Sequence, residues 1–381
     1  MFIIGTLSTG GAERVVSNIS KELPDDLEKE IVLFGKQAKI EYDYEGKLTF
    51  LDKDDSKSII SKLVILFKRI ICLRKIKNNN PNATFISFLE YPNLINMLSG
   101  KYNKSIVSVR NHMSTKHAKG IKAYFWNKTV KYLYKRARKI IGVSNKIKED
   151  LVHNYHLPEK KVKVIYNPYL ITKIEAQSLE KINYKKAIFS KPVIITSGRL
   201  HKQKGQHHLI NSFYLVKRVI KDAQLVILGE GPLEEKLKEQ VKKLGLEKSV
   251  HFLGFQGNPF KYIAHSDIFV LTSYYEGFPN ALAEAMVCGT PVISTDCLSG
   301  PREILAPNSI NDIDYKQPEF GFLVPDIKEE NKHQVVNQIA DISISLIQDQ
   351  KKHEQYANKA KERINDFHIN NIIKKWEKLI K

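Results

Sequence analysis

The sequence predicts an α/β protein with two doubly wound parallel sheets in tandem. Short apolar runs rich in β-branched residues alternate with longer helical stretches along the 381 residues. This alternation restarts near residue 192, after a polar, lysine-rich stretch without a clear strand. The hydrophobic content of 42% is enough for two sizeable cores. We therefore expect two domains of similar design.

The first half carries six predicted strands with helices between them. The predicted helices cover 12–23, 58–77 and 124–138. Helix 58–77 is basic and strongly apolar, so we expect it to pack beneath the sheet; an interfacial role would require exposed apolar residues. The predicted strands are 2–4, 31–34, 84–88, 106–109, 140–143 and 162–165.

The second half repeats the plan and ends in a charged helical segment. Its predicted strands are 193–196, 225–228, 250–253, 268–271, 292–294 and 322–324. The predicted domain organisation is a first domain at 1–171, a connection at 172–191, a second domain at 192–355 and a final helical segment at 356–381.

The charge is unevenly distributed between the two halves. The chain has a net charge of +20, and residues 1–200 hold 37 Lys and Arg against 18 Asp and Glu, whereas residues 201–381 hold 24 against 23. A basic half beside a neutral half predicts an anionic partner for the first domain, either a membrane surface or a nucleic acid. Three cysteines without metal-ligand spacing, no membrane-spanning apolar stretch and no signal peptide predict a cytoplasmic protein.

Residues 271–304 contain the most informative motif. A predicted strand runs into a loop with Glu276 and Gly277, and Pro279 then opens a helix that contains Glu284. Gly289 and Pro291 end this helix before the next strand. The two carboxylates lie where a parallel sheet binds ligands, beyond the carboxyl end of a strand.

This segment, with EGFPNALAE at 276–284, resembles the donor-binding signature of the family 4 glycosyltransferases, which are retaining enzymes of the GT-B fold. The resemblance implies two Rossmann-like domains facing across a cleft, with the final helix crossing back to the first domain. It also implies a nucleotide-sugar donor, which we expect to be UDP-linked, and no cofactor or metal. By the same resemblance Glu276 contacts the sugar hydroxyls and Glu284 the ribose; carboxylates accept hydrogen bonds from vicinal diols. The neighbouring donor-site residues are Gly277, Phe278, Asn280, Ala281 and Leu282.

A second motif, SGRLHKQKG at 197–205, follows the first strand of the second half. Arg offers a planar fork to phosphate oxygens, and Lys offers a compact charge. In the resembling family this motif binds the donor diphosphate, which implies that Arg199 and Lys204 act with Glu276 in catalysis. Taken without the glutamate motif, the two residues also fit a basic loop in a basic protein.

Glycine-rich loops contribute further predicted donor contacts. Gly10 and Gly11 join the first strand to the first helix and allow close approach of a phosphate, and the family carries such a loop facing the donor. The segment ILGEGP is interpreted as a tight turn with a donor contact through Glu230. Phe255 lies where relatives hold the nucleotide base through backbone groups.

The rim of the first domain is predicted to face the acceptor. Arg110, Asn111 and His112 follow a strand, and the corresponding loop of relatives reaches the sugar or the acceptor, so His112 is a catalytic candidate. Glu90, together with Asn93, lies near a second such rim. The sequence Asp312-Ile313-Asp314 is similar to a metal-binding D-x-D, but it lies outside a strand-end context, and we predict no bound metal.

Together these observations predict a retaining glycosyltransferase that moves a hexose or N-acetylhexosamine from a nucleotide sugar to a carbohydrate acceptor. The basic first domain favours a lipid-linked oligosaccharide of surface polysaccharide synthesis (O-antigen, capsule or lipopolysaccharide), met peripherally at the anionic inner face of the cytoplasmic membrane. A sugar-nucleotide epimerase of the same fold remains an alternative, which product analysis distinguishes. A basic nucleic-acid-binding protein is an alternative of another class, but it leaves the glutamate motif unexplained, and we expect no nucleic-acid partner.

Overall fold

The computed structural model describes residues 1–8, 10–35, 40–52, 59–116, 120–183, 186–309 and 319–381. The chain forms two compact units. Unit 1 comprises Met1–Tyr169 and Ile369–Lys381, and unit 2 comprises Leu170–His368. Each unit holds one parallel sheet with helices, which confirms the predicted fold class. The predicted Asp312-Ile313-Asp314 segment lies outside the described residues.

The described strands run in parallel within each sheet. Those of unit 1 are β1 (Phe2–Ile3), β2 (Glu30–Leu33), β3 (Lys47–Phe50), β4 (Phe85–Phe88), β5 (Ser105–Val109), β6 (Lys139–Gly142) and β7 (Val162–Val164). Those of unit 2 are β8 (Val193–Ser197), β9 (Gln224–Leu228), β10 (Val250–Gly254), β11 (Ile268–Leu271), β12 (Val292–Thr295) and β13 (Phe322–Val324). The order is β3-β2-β1-β4-β5-β6-β7 in the first sheet and β10-β9-β8-β11-β12-β13 in the second.

The described α-helices connect these strands and end the chain. They are α1 (Gly11–Glu22), α2 (Ile59–Asn79), α3 (Glu90–Leu98), α4 (Met113–Lys116), α5 (Ile121–Tyr134), α6 (Asn145–Glu149), α7 (Ile171–Ser178), α8 (Gln206–Val219), α9 (Glu234–Lys243), α10 (Phe260–Ala264), α11 (Asn280–Val287), α12 (Gly300–Leu305), α13 (Lys332–Gln348), α14 (Gln350–Ile364) and α15 (Ile369–Ile380). A π-helical turn, Asp150–Asn154, directly follows α6.

The sheet of unit 1 is covered by helices on both faces, because its strands are apolar on both sides. Successive residues of β1 and β2 alternate between two buried clusters: Phe2 and Ile31 belong to one cluster, Ile3 and Val32 to the other. The first cluster includes residues of α1 and α15, and the second includes residues of α2 and α3. Trp376 of α15, 1% exposed, anchors the last helix in the first cluster.

Three differences from the sequence-based prediction have simple physical causes. The edge strand β3 was not predicted, because KLTF is half polar and only half buried. The stretch 172–191 was predicted as a connection, but 171–178 form α7 within unit 2, where Ile171 and Ile174 are buried and α7 packs against α10. The predicted final segment 356–381 divides in the structure: 356–368 belong to unit 2 and 369–381 to unit 1.

Candidate active site

The candidate active site lies at the switch point of the unit 2 sheet. From β8 the chain proceeds to β9 and β10 on one side of the sheet, whereas β11, β12 and β13 lie on the other side. The loops that follow β8 and β11 therefore leave the sheet side by side at its carboxyl edge, where α/β sheets bind ligands. These two loops carry Arg199, Lys204 and Glu276.

The loop after β8 presents two basic side chains of different character. Arg199 is exposed and makes no ion pair with any residue that the structure describes. Lys204 is half-buried and ends a 3₁₀ turn, Lys202–Lys204. Gly205 then adopts a left-handed φ of +60°, and a Cβ there would lie 2.3 Å from the carbonyl oxygen of Thr272. Only glycine fits this turn, because both its φ and its close approach to the neighbouring loop exclude a side chain.

The loop after β11 presents the carboxylate of Glu276 to Lys204. Lys204 Nζ donates to Glu276 Oε1 at 2.6 Å, and Ser273 Oγ donates to the same oxygen at 2.6 Å. Glu276 is only 7% exposed, so its charge needs such partners. The structure thus brings together two of the residues predicted for catalysis, from positions 72 apart in the sequence.

Hydrogen bonds to backbone carbonyls hold these two loops against each other. The Tyr274 N–H donates to the Gln203 carbonyl at 2.8 Å, and the Gln203 side-chain amide donates to the Tyr275 carbonyl at 2.8 Å. Thr272 Oγ1 donates to the Lys204 carbonyl at 3.1 Å. Because these bonds run in both directions between the loops, the folded loops themselves fix the position of Lys204 relative to Glu276.

The loop after β12 supports Glu276 from the other side. The Glu276 N–H donates to the Leu298 carbonyl at 2.7 Å, and the Ser299 N–H donates to the Glu276 carbonyl at 2.9 Å. Ser299 Oγ donates to the Gly277 carbonyl at 2.9 Å. A Cβ on Gly300 would lie 2.8 Å from that same carbonyl oxygen, so the two loops are in close backbone contact.

Sequence reasoning missed Ser273, Gln203 and Ser299 as members of this site. Ser273 lies three residues before Glu276, a spacing at which a hydroxyl reaches a neighbouring side chain, so a local signal existed. Gln203 and Ser299 act through the tertiary pairing of loops, for which the sequence carries no local signal.

Glu284 lies in α11, which begins at Asn280 with Pro279 as its N-cap residue, so the helix starts one residue later than predicted. Glu284 is 5% exposed. The helix ends as predicted: Gly289 has a φ of +74°, and its N–H donates to the Met286 carbonyl at 3.0 Å.

The other predicted donor residues of this segment divide by exposure. The side chains of Phe278 and Leu282 are buried, and the Phe278 ring lies 5.2 Å from that of Phe367 between centroids, so these side chains pack in unit 2. Asn280 and Ala281 are half-buried at the start of α11. A donor molecule therefore has easier access to Asn280 and Ala281 at the helix start than to the buried side chains of Phe278 and Leu282.

Two further predicted donor residues are joined directly. The exposed Glu230 accepts a hydrogen bond from the Phe255 N–H at 3.3 Å, and the Phe255 side chain is 56% exposed. The turn before Glu230 is tight, since a Cβ on Gly229 would lie 2.2 Å from the Gly198 carbonyl oxygen. The β9 loop thus borders the Arg199 loop, and the β10 loop adjoins the β9 loop.

A histidine–tyrosine group lies behind the paired loops. His208, the third residue of α8, shares a hydrogen bond of 2.8 Å with the Tyr274 hydroxyl, and the His207 and His208 rings are 3.9 Å apart. Burial first, and then neighbouring His207, lowers the pKa of His208 to about 4. His208 is therefore neutral at pH 7, and it fixes Tyr274 without adding charge to the site.

In unit 1 the predicted glycines lie at the corresponding edge of the sheet. Gly10 is the N-cap residue of α1 and Gly11 its first residue, just beyond the carboxyl end of β1. Glu90 is the first residue of α3, just beyond β4, which neighbours β1. Both positions therefore belong to the switch point of the unit 1 sheet.

The predicted acceptor-side residues after β5 are engaged within unit 1. Arg110 donates to Asn167 Oδ1, and burial lowers the pKa of the Arg110 guanidinium to about 10. Asn93, 1% exposed, donates to the Ser108 carbonyl at 2.9 Å. Asn111, the next residue after Arg110, is half-buried.

His112 is held by the cap of a short helix. Its Nδ1 lies 3.0 Å from Thr115 Oγ1 and 3.7 Å from the carboxylate of Asp150. Asp150 is 2% exposed and accepts hydrogen bonds from the N–H groups of Met113 and Ser114 at 2.9 and 3.1 Å. The structure therefore orients His112 through α4, and its catalytic role stays a prediction.

No group of three His, Cys, Asp or Glu side chains that could hold a metal ion occurs in the part of the chain that the structure describes. The absence of a metal requirement stays a prediction. In unit 2, a basic loop suited to binding an anion lies beside a buried carboxylate whose charge is compensated.

Two family models match the chain, one for each unit. Residues 9–169 match the model described as Glycosyltransferase Family 4, and residues 180–363 match that described as Glycosyl transferases group 1. An uncharacterized glycosyltransferase of Methanocaldococcus jannaschii is 38% identical over 293 residues, which cover 73% of this chain and 71% of that protein.

Two further proteins are similar over the full length. The N-acetylgalactosamine-N,N'-diacetylbacillosaminyl-diphospho-undecaprenol 4-alpha-N-acetylgalactosaminyltransferase of Campylobacter jejuni is 32% identical over 371 residues, 96% of this chain and 94% of that protein. The crystal structure of Anabaena HepE in complex with UDP-glucose aligns with a TM-score of 0.77 over 99% of this chain and 98% of that one, at 18% identity. The latter likeness shows the fold.

Proposed function

The chain belongs to the family 4, group 1 glycosyltransferases, and from that premise we propose that it transfers a hexose or N-acetylhexosamine from a UDP-sugar to a carbohydrate acceptor with retention of configuration. The acceptor in this proposal is a lipid-linked oligosaccharide of surface polysaccharide synthesis. The full-length Campylobacter relative supports this choice, since its name specifies an N-acetylgalactosaminyl transfer to a diphospho-undecaprenol-linked glycan.

The observation that carries the proposal is the Lys204–Glu276 pair at the switch point, with the exposed Arg199 in the same loop as Lys204. Arg199 and Lys204 hold the donor diphosphate. Glu276 accepts hydrogen bonds from the sugar hydroxyls, and Glu284 accepts them from the ribose.

The chemistry assigned to these groups is stabilisation of a leaving diphosphate. The bond between the anomeric carbon and the phosphate oxygen breaks through an oxocarbenium-like state, and the acceptor hydroxyl attacks on the same face. Its proton passes to the departing diphosphate. The two basic side chains act where negative charge develops, which is the largest single contribution in many transfer reactions.

We further propose that the protein works peripherally at an anionic membrane surface. No helix among the described residues is long and apolar enough to cross a membrane. The strongly basic first 200 residues supply the attraction that such an association needs.

A panel of nucleotide sugars tests the donor assignment. We expect one UDP-sugar to raise the unfolding temperature of the protein, and Glu276→Ala to abolish that shift while the circular dichroism spectrum is unchanged. Incubation of the stabilising donor with and without a lipid-linked glycan then separates reactions by their products: conversion of the donor alone would indicate an epimerase. If no nucleotide sugar stabilises the protein and a nucleic acid does, the proposal is wrong.

A further inference from the structure

Exposed apolar side chains of unit 1 concentrate on two helices. On α2, Leu63, Phe67 and Ile71 are 54%, 63% and 53% exposed. Their spacing of four residues places them on one stripe of the helix. On α5, Tyr124 and Phe125 are 63% and 62% exposed, and their rings meet edge to face at 5.7 Å between centroids. Large exposed aromatic and aliphatic groups in this density mark an interaction surface.

These helices belong to one layer on one face of the unit 1 sheet. The helix α3 packs against both α2 and α5, whereas α1 and α15 pack together in the opposite layer. The connections β3–α2–β4, β4–α3–β5 and β5–α5–β6 all proceed in the same direction along the sheet, and right-handed crossovers therefore place their helices on the same side. We call the exposed surface of α2 and α5 in this layer the α2–α5 face. It is defined by Leu63, Phe67, Ile71, Tyr124 and Phe125.

The α2–α5 face extends to the carboxyl edge of the sheet. Arg69 donates to the carbonyl of Phe34 at 3.2 Å and to the carboxylate of Asp52, which lie just beyond β2 and β3. The first turns of α2, with Leu63 and Phe67, therefore lie at or beyond this edge. Glu90 and Arg110 of the predicted acceptor side lie at the same edge, because they follow β4 and β5.

The charge around this face is almost entirely positive. Residues 59–138 contain 17 Lys and Arg and only one acidic residue, Glu90. Among the described side chains, Lys62, Lys68, Arg74 and Lys128 are exposed on the same two helices. A face of aromatic and aliphatic groups surrounded by Lys and Arg complements a bilayer that carries anionic headgroups.

We propose that the α2–α5 face is the membrane-docking surface of this protein and that its partner is a bilayer containing anionic lipid. Leu63, Phe67 and Tyr124 insert at the headgroup boundary, while the surrounding Lys and Arg contact lipid phosphates. This inference rests on the proposed function. A docked α2–α5 face keeps the predicted acceptor edge of unit 1 at the membrane surface, from which a lipid-linked glycan projects.

Vesicle flotation of the full chain tests the proposal. The vesicles contain phosphatidylcholine alone or with roughly one-third phosphatidylglycerol. We expect binding to the anionic vesicles that weakens as salt rises. The double variant Leu63→Ser/Phe67→Ser should lower the partition coefficient about tenfold or more, since both side chains lose their insertion. The matched control is Leu179→Ser/Val219→Ser, which removes two exposed apolar side chains of unit 2, 82% and 56% exposed, and should bind as the original chain does.

Each outcome counts for or against the α2–α5 face. Equal binding to neutral and anionic vesicles, or equal loss in the two double variants, would overturn the proposal. Sedimentation velocity tests the rival occupant, a second copy of the chain: a dimer that Leu63→Ser/Phe67→Ser converts to a monomer, without flotation, would also overturn it. Stabilisation by UDP-sugar is measured on the same samples without vesicles. Its failure counts against the proposed function, whereas failed flotation with intact donor stabilisation counts against the docking surface alone.

Discussion

The two sheets share one strand order at their centres, but the side chains at their carboxyl edges are arranged differently. In unit 2, β8 lies beside β11, and the loops that follow them bring Lys204 and Glu276 to 2.6 Å. In unit 1, β1 lies beside β4, and beyond the next strand, β5, Arg110 binds Asn167 and His112 binds Thr115 within unit 1 itself. The same topology therefore supports a charged candidate site in one unit and internally held loops in the other.

Under the proposed function, this difference explains why the donor side of the reaction is recognisable in the sequence and the acceptor side is not. The proposed donor offers a diphosphate and a sugar diol, which require particular charges at particular places, and the sequence of unit 2 carries a recognisable motif with such charges. The predicted acceptor-side loops of unit 1 carry no comparable motif. Fold alone would not distinguish the two units, because function resides in the side chains placed on the fold.

The largest expected effect comes from breaking the charge pair of unit 2. Lys204→Met should lower kcat/KM for transfer by about 100- to 1,000-fold, because the diphosphate loses a cation where charge develops and the buried Glu276 loses its partner. The measurement is initial-rate transfer of radiolabelled sugar at saturating acceptor.

Lys238→Met provides the matched control. Lys238 pairs with Glu234 on the exposed surface of α9 in the same unit, so we expect its loss to leave kcat/KM unchanged. Equal activity of the two variants would contradict the assignment of Lys204 to the site.

In unit 1, the strongest expected effect is on stability and not on chemistry. Asp150→Ala removes a buried carboxylate that accepts from the N–H groups of Met113 and Ser114 and from Asn154 Nδ2. We expect a loss of about 3 kcal/mol in the free energy of unfolding, since several buried donors lose their acceptor. Denaturant titration followed by circular dichroism measures it.

The cap at Asp349 offers a control in unit 2. Its exposed side chain accepts from the Lys352 N–H at the start of α14, so Asp349→Ala should cost about 1 kcal/mol. If Asp150→Ala costs no more than Asp349→Ala, then Asp150 does not hold the His112 loop in the way described.

Much of this architecture was predictable because buried strands are continuous apolar runs in the sequence. Strands such as β11 and β13 are uninterrupted apolar runs, and their predicted bounds coincide with the structure. The edge strand β3 and the helix α7 are short and half polar, so tertiary packing and not local pattern decides them. Within the candidate site, Glu276 and Lys204 were predicted from sequence motifs and their roles stay predictions, whereas the support from Ser299 depends on loops that meet only in the folded chain.

The tight approach of the two unit 2 loops predicts that Gly205→Ala destabilises the protein more than Gly245→Ala. Gly205 and Gly245 have nearly equal φ values of +60° and +66°, but a Cβ on Gly205 would meet the Thr272 carbonyl at 2.3 Å, whereas a Cβ on Gly245 meets nothing within 4 Å. Gly245→Ala should cost about 1 kcal/mol from the backbone conformation alone. Gly205→Ala should cost roughly 2 kcal/mol more, because backbone must move. Equal unfolding free energies would show that the Lys204 and Glu276 loops are not held rigidly.

A pH-dependent effect is expected at Lys77, a buried base of unit 1. Lys77 is fully buried in α2 and donates to the carbonyls of Asn96 and Gly100 at 2.7 Å and to Ser105 Oγ at 2.8 Å, which secures the end of α3. Burial lowers the pKa of Lys77 from 10.5 to about 7. Between these two values the unfolded chain holds a proton that the folded chain has released, so this group makes stability rise as the pH rises through that window.

Replacement of Lys77 by Met should therefore remove a pH dependence that the original chain shows. We expect the difference in unfolding free energy between the original chain and Lys77→Met to grow from pH 7 towards pH 10, with a slope of at most about 1.4 kcal/mol per pH unit. Lys75→Met, an exposed neighbour on the same helix, should give a curve parallel to that of the original chain. If the Lys77→Met curve is also parallel, then Lys77 keeps its proton in the folded state throughout this pH range.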